Sequence, residues 1–556
     1  MRRNITPLSF PAFIGLLFII LIQTPALHAQ LFDGGTSNHA DSLRGSMRIE
    51  RSCYDVTHYD LSVKFHEESI SGTNVMTFRA GPSCRVIQVD LFDNMSFDKA
   101  TLRGKEQVFK RDANAIFITL DENIQEGQVE RITLHYHGKP IEARRAPWDG
   151  GFTHTTDASG KPWMAVSCQG IGASLWWPCK DHLSDEPDSM DMHFTVPSGQ
   201  MCISNGQERG VSKGHDGYDT FHWHVSYPIN NYNVTFNIGE YVRWHDVYTA
   251  QDGDTLSLDY YVKPENLDKS KKQFRQVKPM LQCYEHYLGK YPFWKDGFAL
   301  VETPYLGMEH QGAIAYGNQY QPGYLGWDRS GSNLQFDYII IHETGHEWWG
   351  NSVSCKDIAD MWIHEGFCTY TEAIYVECMH GEKAAQVYVN ALKTEVFNRR
   401  PIIGTYGINR EGHGDMYVKG MLFLNSLRHT IQNDSCWWST IKYVSDTAFK
   451  MSAVDYDMIV DAFELKTKQE LRPIFEQYVK HAGLPVLEFE QKGGSKNKIR
   501  YRWKAAVKGF NMPAIAITNQ GSKRLLPTTE WQEFEFGKEV FQGWDDQSFY
   551  FQQHEK

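Results

Sequence analysis

From Tyr54 to Val262 apolar and polar side chains alternate in short runs broken by Gly, Asn, Asp and Pro, as in HYDLSVKF, NVMTFRA, ERITLHYHG, MDMHFTVPSG and NYNVTFNIGEY. A period of two puts every second side chain on one face of an extended chain, so such runs bury their apolar residues as half-buried antiparallel strands. Around residue 265 the pattern changes. KSKKQFRQVKPMLQCYEHYLGKYPF carries helical spacing and ends on Gly289 and Pro292, and helical segments follow one another from about Leu334 to His481. After Gly483-Leu484-Pro485 the strands VLEFEQ and KIRYRW return, joined by a Gly-Gly-Ser turn at 493–495. A chain of 556 residues is too long for one hydrophobic core. The order predicts a multidomain α+β protein: an N-terminal antiparallel β domain over 30–262, a mainly helical domain over 263–483 and a small β-sandwich-like domain over 484–556.

With 41% apolar and 22% charged residues, and no low-complexity run or fixed-period repeat, the chain is neither disordered nor a solenoid. Residues 1–29 read as a signal peptide: Arg2-Arg3, an apolar stretch from Phe10 to Ile22, Pro25, then Leu27-His28-Ala29 before Gln30. That apolar core is shorter than the roughly 20 residues that span a bilayer, and no later segment is apolar enough to do so. The expectation is an exported protein, periplasmic or extracellular, with no stable membrane span once the signal is removed. Removal takes two of the 56 basic side chains and none of the 68 acidic ones, leaving a formal charge of -14. That balance argues against nucleic acid as a partner. The ten cysteines show no Cys-x-x-Cys spacing. In an oxidising compartment Cys168 with Cys179 is the first expected disulfide, with buried free thiols as the alternative.

Residues 342–350 read HETGHEWWG. On a helix His342 and His346 lie on one face about 40° apart, close enough for two imidazoles to hold one metal ion. Ser332 with Gln335 reads as a capping box that starts this helix, and Gly350 as the residue that stops it. Glu365 follows after eighteen residues in a second helical stretch, IHEGFCTYTEAIYVECMHG. Two neutral imidazoles and a carboxylate leave a fourth tetrahedral position open for water, which describes a catalytic zinc site with one Zn²⁺ per chain. Glu343, beside the histidines without being a ligand, is the expected general base. Metal-binding histidines usually donate their other ring N–H to an acid, and Glu372, two turns beyond Glu365, is the expected partner.

Together these segments resemble the aminopeptidase N family of zinc metallopeptidases, which includes the leukotriene hydrolase/aminopeptidases. The likeness runs over about 430 residues, and its WWGN and HEGF flanks at 348–351 and 364–367 are also similar. It implies a thermolysin-like zinc catalytic domain for the helical region and aminopeptidase activity on peptides with a free N-terminus. LGMEHQGAIAYGN resembles the family's Gly-x-Met-Glu-Asn motif, which assigns Gly307, Met308 and Glu309 to substrate binding, with Glu309 on the α-ammonium. A charge-assisted hydrogen bond selects an ammonium better than shape does. The chain departs from the pattern in two ways: His310 stands at the asparagine, and Gly307 directly precedes Met308. VSCQGIGASLWWPCKD resembles the segment that helps hold the amine, through Gln169. MYVKGMLFLNSLRHT resembles the family's Tyr-x-Lys-Gly, which makes Tyr417 the donor to the oxyanion. The implied mechanism has Glu343 taking a proton from the zinc-activated water. Three other readings stay open at this point: a zinc endopeptidase, an epoxide hydrolase on the same scaffold, and a non-catalytic exported binding protein.

Overall fold

In the strand Tyr54–Phe65 the buried apolar side chains are Tyr54 and Val56, then Tyr59, Leu61, Val63 and Phe65. The alternation changes phase where the pairing with Ile70–Ala80 shifts register between Val56 and His58. A bulge adds one residue there, so the apolar side chains before and after it stay on one face. This strand lies in a ten-stranded sheet, antiparallel to Ile70–Ala80 and parallel to Ser189–Pro197. A four-stranded sheet joins Gly151–Thr156, Pro162–Ser167, Met201–Ile203 and Asn237–Gly239. The computed structural model describes residues 37–82, 84–491 and 497–556; the signal peptide read at 1–29 and the turn read at 493–495 lie outside them.

NYNVTFNIGEY is not one strand. The Asn230 side chain accepts the Tyr232 N–H and turns Asn231–Asn233 into one 3-10 turn, leaving only Asn237–Gly239 extended. Such side-chain capture of the backbone is why Asn favours turns over strands. The last two strands of this stretch, Val242–Thr249 and Thr255–Val262, pair with each other, and the second pairs onward with Phe298–Glu302. They complete a five-stranded sheet with Ile314–Tyr316 and the edge strand Gly307–Met308.

The helices of the middle region pack on that sheet. Those that matter for the site are α1 (Val277–Leu288), α2 (Tyr338–Gly345), α3 (Met361–His380) and α4 (Val418–Ile431). Every residue of α2 and the first sixteen of α3 are buried, so these helices form the centre of the domain. The start of α2 corrects the sequence reading. Its cap is Asp337, whose carboxylate accepts from the N–H groups of Ile339 and Ile340; Ser332 and Gln335 sit in the preceding loop. A carboxylate satisfies two of the orphan N–H groups at a helix start, and Asp337 is held there by Gln273, Tyr316 and Asn318. The α-helix ends at Gly345, with His346 as its C-cap, so Gly350 stands beyond its end. Where α3 crosses α4, Gly366 faces Gly420. A Cβ on Gly420 would lie 2.6 Å from the Gly366 Cα, so the close crossing requires glycine there.

After residue 483 two sheets of four and three strands form the C-terminal unit, with Phe489 opposite Tyr501. The fold is therefore multidomain α+β, with β-rich regions at both ends and a mainly helical region between. Among the described residues no helix is long and apolar enough to cross a membrane. Cys168 and Cys179 are both free thiols and fully buried, which corrects the expected disulfide: each packs as a small apolar side chain.

Candidate active site

His342, in the last turn of α2, and His346, its C-cap, face Glu365 on α3. His342 Nε2 and His346 Nε2 are 3.3 Å apart, and Glu365 Oε2 lies 3.3 Å from the second and 3.7 Å from the first. Four ligands held about 2.0–2.1 Å from a zinc ion in a tetrahedron are separated by about 3.3–3.4 Å, so this triangle has the size of one tetrahedral face. Glu365 Oε2 is buried and accepts no hydrogen bond. The outer nitrogens are engaged: His342 Nδ1 donates to Glu372 Oε1 at 2.7 Å and His346 Nδ1 to the Trp349 carbonyl at 2.8 Å. That fixes both tautomers with an Nε2 lone pair facing Glu365. Tyr388 donates to the other oxygen of Glu372. Cys368 also brings its sulfur within 4.8 Å of both histidines, but its thiol donates to the His342 carbonyl at 2.9 Å. Glu309, Glu343 and His346 form another close group of potential ligands. The donor set fits a metal best at His342, His346 and Glu365, where the free lone pairs converge.

Glu343 lies one residue from His342, against the backbone of Gly307. A Cβ on Gly307 would sit 2.8 Å from Glu343 Oε1 and 2.8 Å from the Ile339 side chain. Burial pushes the Glu343 carboxyl up to about 7, against the opposing pull of His342 and His346. Glu365 is the reverse: burial would raise it, but the two histidines win and lower it.

Glu309 follows the edge strand Gly307–Met308 and is buried. Gln169, two residues beyond the strand Pro162–Ser167, bridges the two regions. Its Nε2 donates to Glu309 Oε1 and to Glu365 Oε1, each at 2.8 Å. Tyr232 donates to the same Glu309 oxygen at 3.1 Å, and Asn351 donates to the Glu309 carbonyl at 2.8 Å. Burial raises the Glu309 carboxyl; His346 opposes this and Glu365 adds to it. Tyr417 stands just before α4, its ring stacked 6.2 Å from that of His342 and its hydroxyl in hydrogen-bonding reach of Glu365. The Gly366–Gly420 crossing holds those two segments together. The nine residues assigned from the sequence to the metal, to catalysis or to substrate binding line one cleft, with Pro147, Trp148, Tyr324 and Tyr338 among its walls.

Two residues near the site had no signal in the sequence. Tyr232 lay inside a run read as strand. Glu411 lies six residues before Tyr417. Burial and then repulsion from Glu365 and Glu309 push its carboxyl up to about 8. His310, at the position where the resemblance expects asparagine, is fully buried with neither ring nitrogen bonded, and burial lowers it to about 3, so the ring is neutral.

Residues 272–478 match the Peptidase family M1 domain. The chain is 24% identical to the endoplasmic reticulum aminopeptidase 1 of Mus musculus over 422 residues, covering 71% of this chain and 44% of that protein. It is 23% identical to the aminopeptidase N of Lactobacillus helveticus over 475 residues, covering 77% of this chain and 51% of that one. It thus spans about half the length of these relatives. Among solved structures it resembles a mutant of the M1 zinc metallopeptidase of Deinococcus radiodurans bound to a Tyr-Ser-Ala substrate. The TM-score is 0.65 at 20% identity, covering 78% of this chain and 96% of that one. The segment matching the M1 domain spans the helices that bring His342, His346 and Glu365 together, and over most of its length the chain is similar to aminopeptidases.

Proposed function

We propose that the protein is a zinc-dependent aminopeptidase that hydrolyses the N-terminal bond of peptides. The observation that carries this reading is the link between the metal-sized triangle and Glu309, made by the Gln169 amide that donates to both Glu309 and Glu365. An amine held at Glu309 would sit beside the triangle, so the bond presented for hydrolysis is the first in the chain. Zinc held by His342, His346 and Glu365 would supply Lewis-acid activation of water and of the scissile carbonyl. Glu343 would take a proton from the attacking water and pass it to the leaving amine. Tyr417 would donate its phenol to the carbonyl oxygen as negative charge develops there. Glu309 would accept hydrogen bonds from the substrate ammonium. The Gln169 carbonyl oxygen would join it, since the Gln169 N–H groups already serve the two carboxylates. Gly307 and Met308 would run beside the substrate backbone, and export with removal of residues 1–29 would deliver the enzyme to a periplasmic or extracellular space.

The deciding experiment compares kcat/KM for an amino-acid arylamide and its N-acetylated form. Acetylation removes the charge that Glu309 recognises, so the acetylated form should not be hydrolysed. Glu309→Ala should lower kcat/KM for the free form about tenfold to more than a hundredfold, the cost of a lost charge-assisted hydrogen bond of roughly 1.5–3 kcal/mol. Equal hydrolysis of both forms by the unaltered protein would instead support a zinc endopeptidase.

Metal content gives an independent check. Elemental analysis should find one zinc per chain, and a chelator should abolish activity that added zinc restores. Active protein without stoichiometric metal would end this reading.

Gly307→Ala tests how the carboxylate of Glu343 is positioned. The added methyl would have to displace Glu343 or Ile339. Displacement by about 1 Å of a group in the reaction can cost up to about 10²-fold, so kcat should fall about tenfold to a hundredfold with zinc retained. An unchanged kcat would show that Glu343 does not act from this position.

A further inference from the structure

All ten cysteines are thiols, but in two places one thiol meets another. Cys53 and Cys84 share a hydrogen bond with their sulfurs 3.1 Å apart. Cys53 stands where the chain leaves the short helix Ile49–Ser52, and Cys84 opens the strand Cys84–Asp90. Cys283 on α1 donates to the Ile374 carbonyl of α3 at 3.8 Å, one turn before Cys378, and its thiol meets that of Cys378. The first pair is buried; in the second, Cys378 is exposed. Among the described residues neither pair belongs to a group of three His, Cys, Asp or Glu that could hold a metal, so each offers two sulfurs and no third ligand. At 3.1 Å the first two sulfurs are about 1 Å beyond the disulfide length of about 2.05 Å, a gap that small side-chain rotations cover. The Cys368 thiol is held differently: it donates to the His342 carbonyl at 2.9 Å, closer than the carbonyl contacts of Cys53 at 3.6 Å and Cys283 at 3.8 Å.

We propose that Cys53–Cys84 and Cys283–Cys378 are disulfides when the chain matures in an oxidising compartment, and that the other six cysteines stay reduced. In each pair one cysteine thiolate attacks a sulfur of a donor disulfide, either a small-molecule or a protein disulfide. The donor's S–S bond breaks, one donor thiol leaves and a mixed disulfide forms. The second cysteine then displaces the other donor thiol as the new S–S bond closes. The two protons and two electrons given up by the cysteine pair end on the two donor thiols, so the donor is the oxidant. Cys378 is suited to attack, being exposed and held below the ordinary thiol range by its hydrogen bond with Cys283. Cys53 and Cys84 are buried, so their bond forms before the N-terminal sheet closes over them. The second bridge ties α1 to α3, the helix that carries Glu365 and Glu372.

The test is a peptide map of the chain produced through an oxidising secretory compartment and alkylated in denaturant without reductant. The expected map has two cross-linked peptide pairs, Cys53 with Cys84 and Cys283 with Cys378, and six alkylated cysteines. Ten alkylated cysteines, or a cross-link between any other two, such as Cys168 with Cys179, would overturn the proposal. Reductant should also lower the melting temperature of the native chain by several degrees and leave unchanged that of a variant with all four residues replaced by serine. An equal shift in both proteins would count against the bridges. If the variant does not fold, the map of the native chain still decides.

Discussion

Glu343→Gln should lower kcat on an amino-acid arylamide by about 10² to 10⁴ while zinc stays at one per chain. Under the proposed mechanism the glutamine amide keeps the size and much of the hydrogen bonding of the carboxylate but cannot accept the proton of the attacking water. General-base assistance is worth about that factor, equivalent to about 2.7–5.4 kcal/mol of barrier. The zinc should be unaffected because the triangle of His342 Nε2, His346 Nε2 and Glu365 Oε2 does not include Glu343. The measurement is single-substrate kinetics paired with elemental analysis of the same preparation. Near-normal turnover would remove Glu343 from the role of base, and loss of zinc would mean that it acts as a ligand.

Tyr417→Phe should cost about 10² to 10³ in kcat, the usual loss when one donor to a developing oxyanion is removed. The ring stacked beside His342 remains in the variant, so packing is kept and the hydroxyl alone is lost. The expected pattern is a fall in kcat and kcat/KM together with little change in KM, since the bond strengthens only as charge builds on the carbonyl oxygen. A rise in KM with unchanged kcat would instead make Tyr417 a residue that binds the ground state.

Much of the fold was legible because local patterns carry it. Period-two alternation marks Tyr54–Phe65 and Ser189–Pro197 as strands wherever one face is buried. The turn at Asn230 was misread because a side chain that bonds its own backbone cancels the pattern around it. The helix start was misread for a related reason. Ser332 and Gln335 have the spacing of a cap, but Asp337 takes the N–H groups because buried partners from elsewhere in the chain hold it in place.

The sequence by itself determined that His342 and His346 share a helix face and that Glu365 lies on the next long helix, because side-chain direction along a helix follows from spacing alone. Only the tertiary structure decided that a Gln169 amide would join Glu309 to Glu365, that Tyr232 would donate to Glu309, and that Glu411 would lie near both carboxylates. Tertiary packing likewise decided that Val242–Val262 would pair into the middle sheet and which thiols would meet. These contacts join segments remote in sequence. Periodicity reports which face of an element is buried, but the partner on that face is chosen by the packing of whole sheets and helices, and no local spacing encodes that choice.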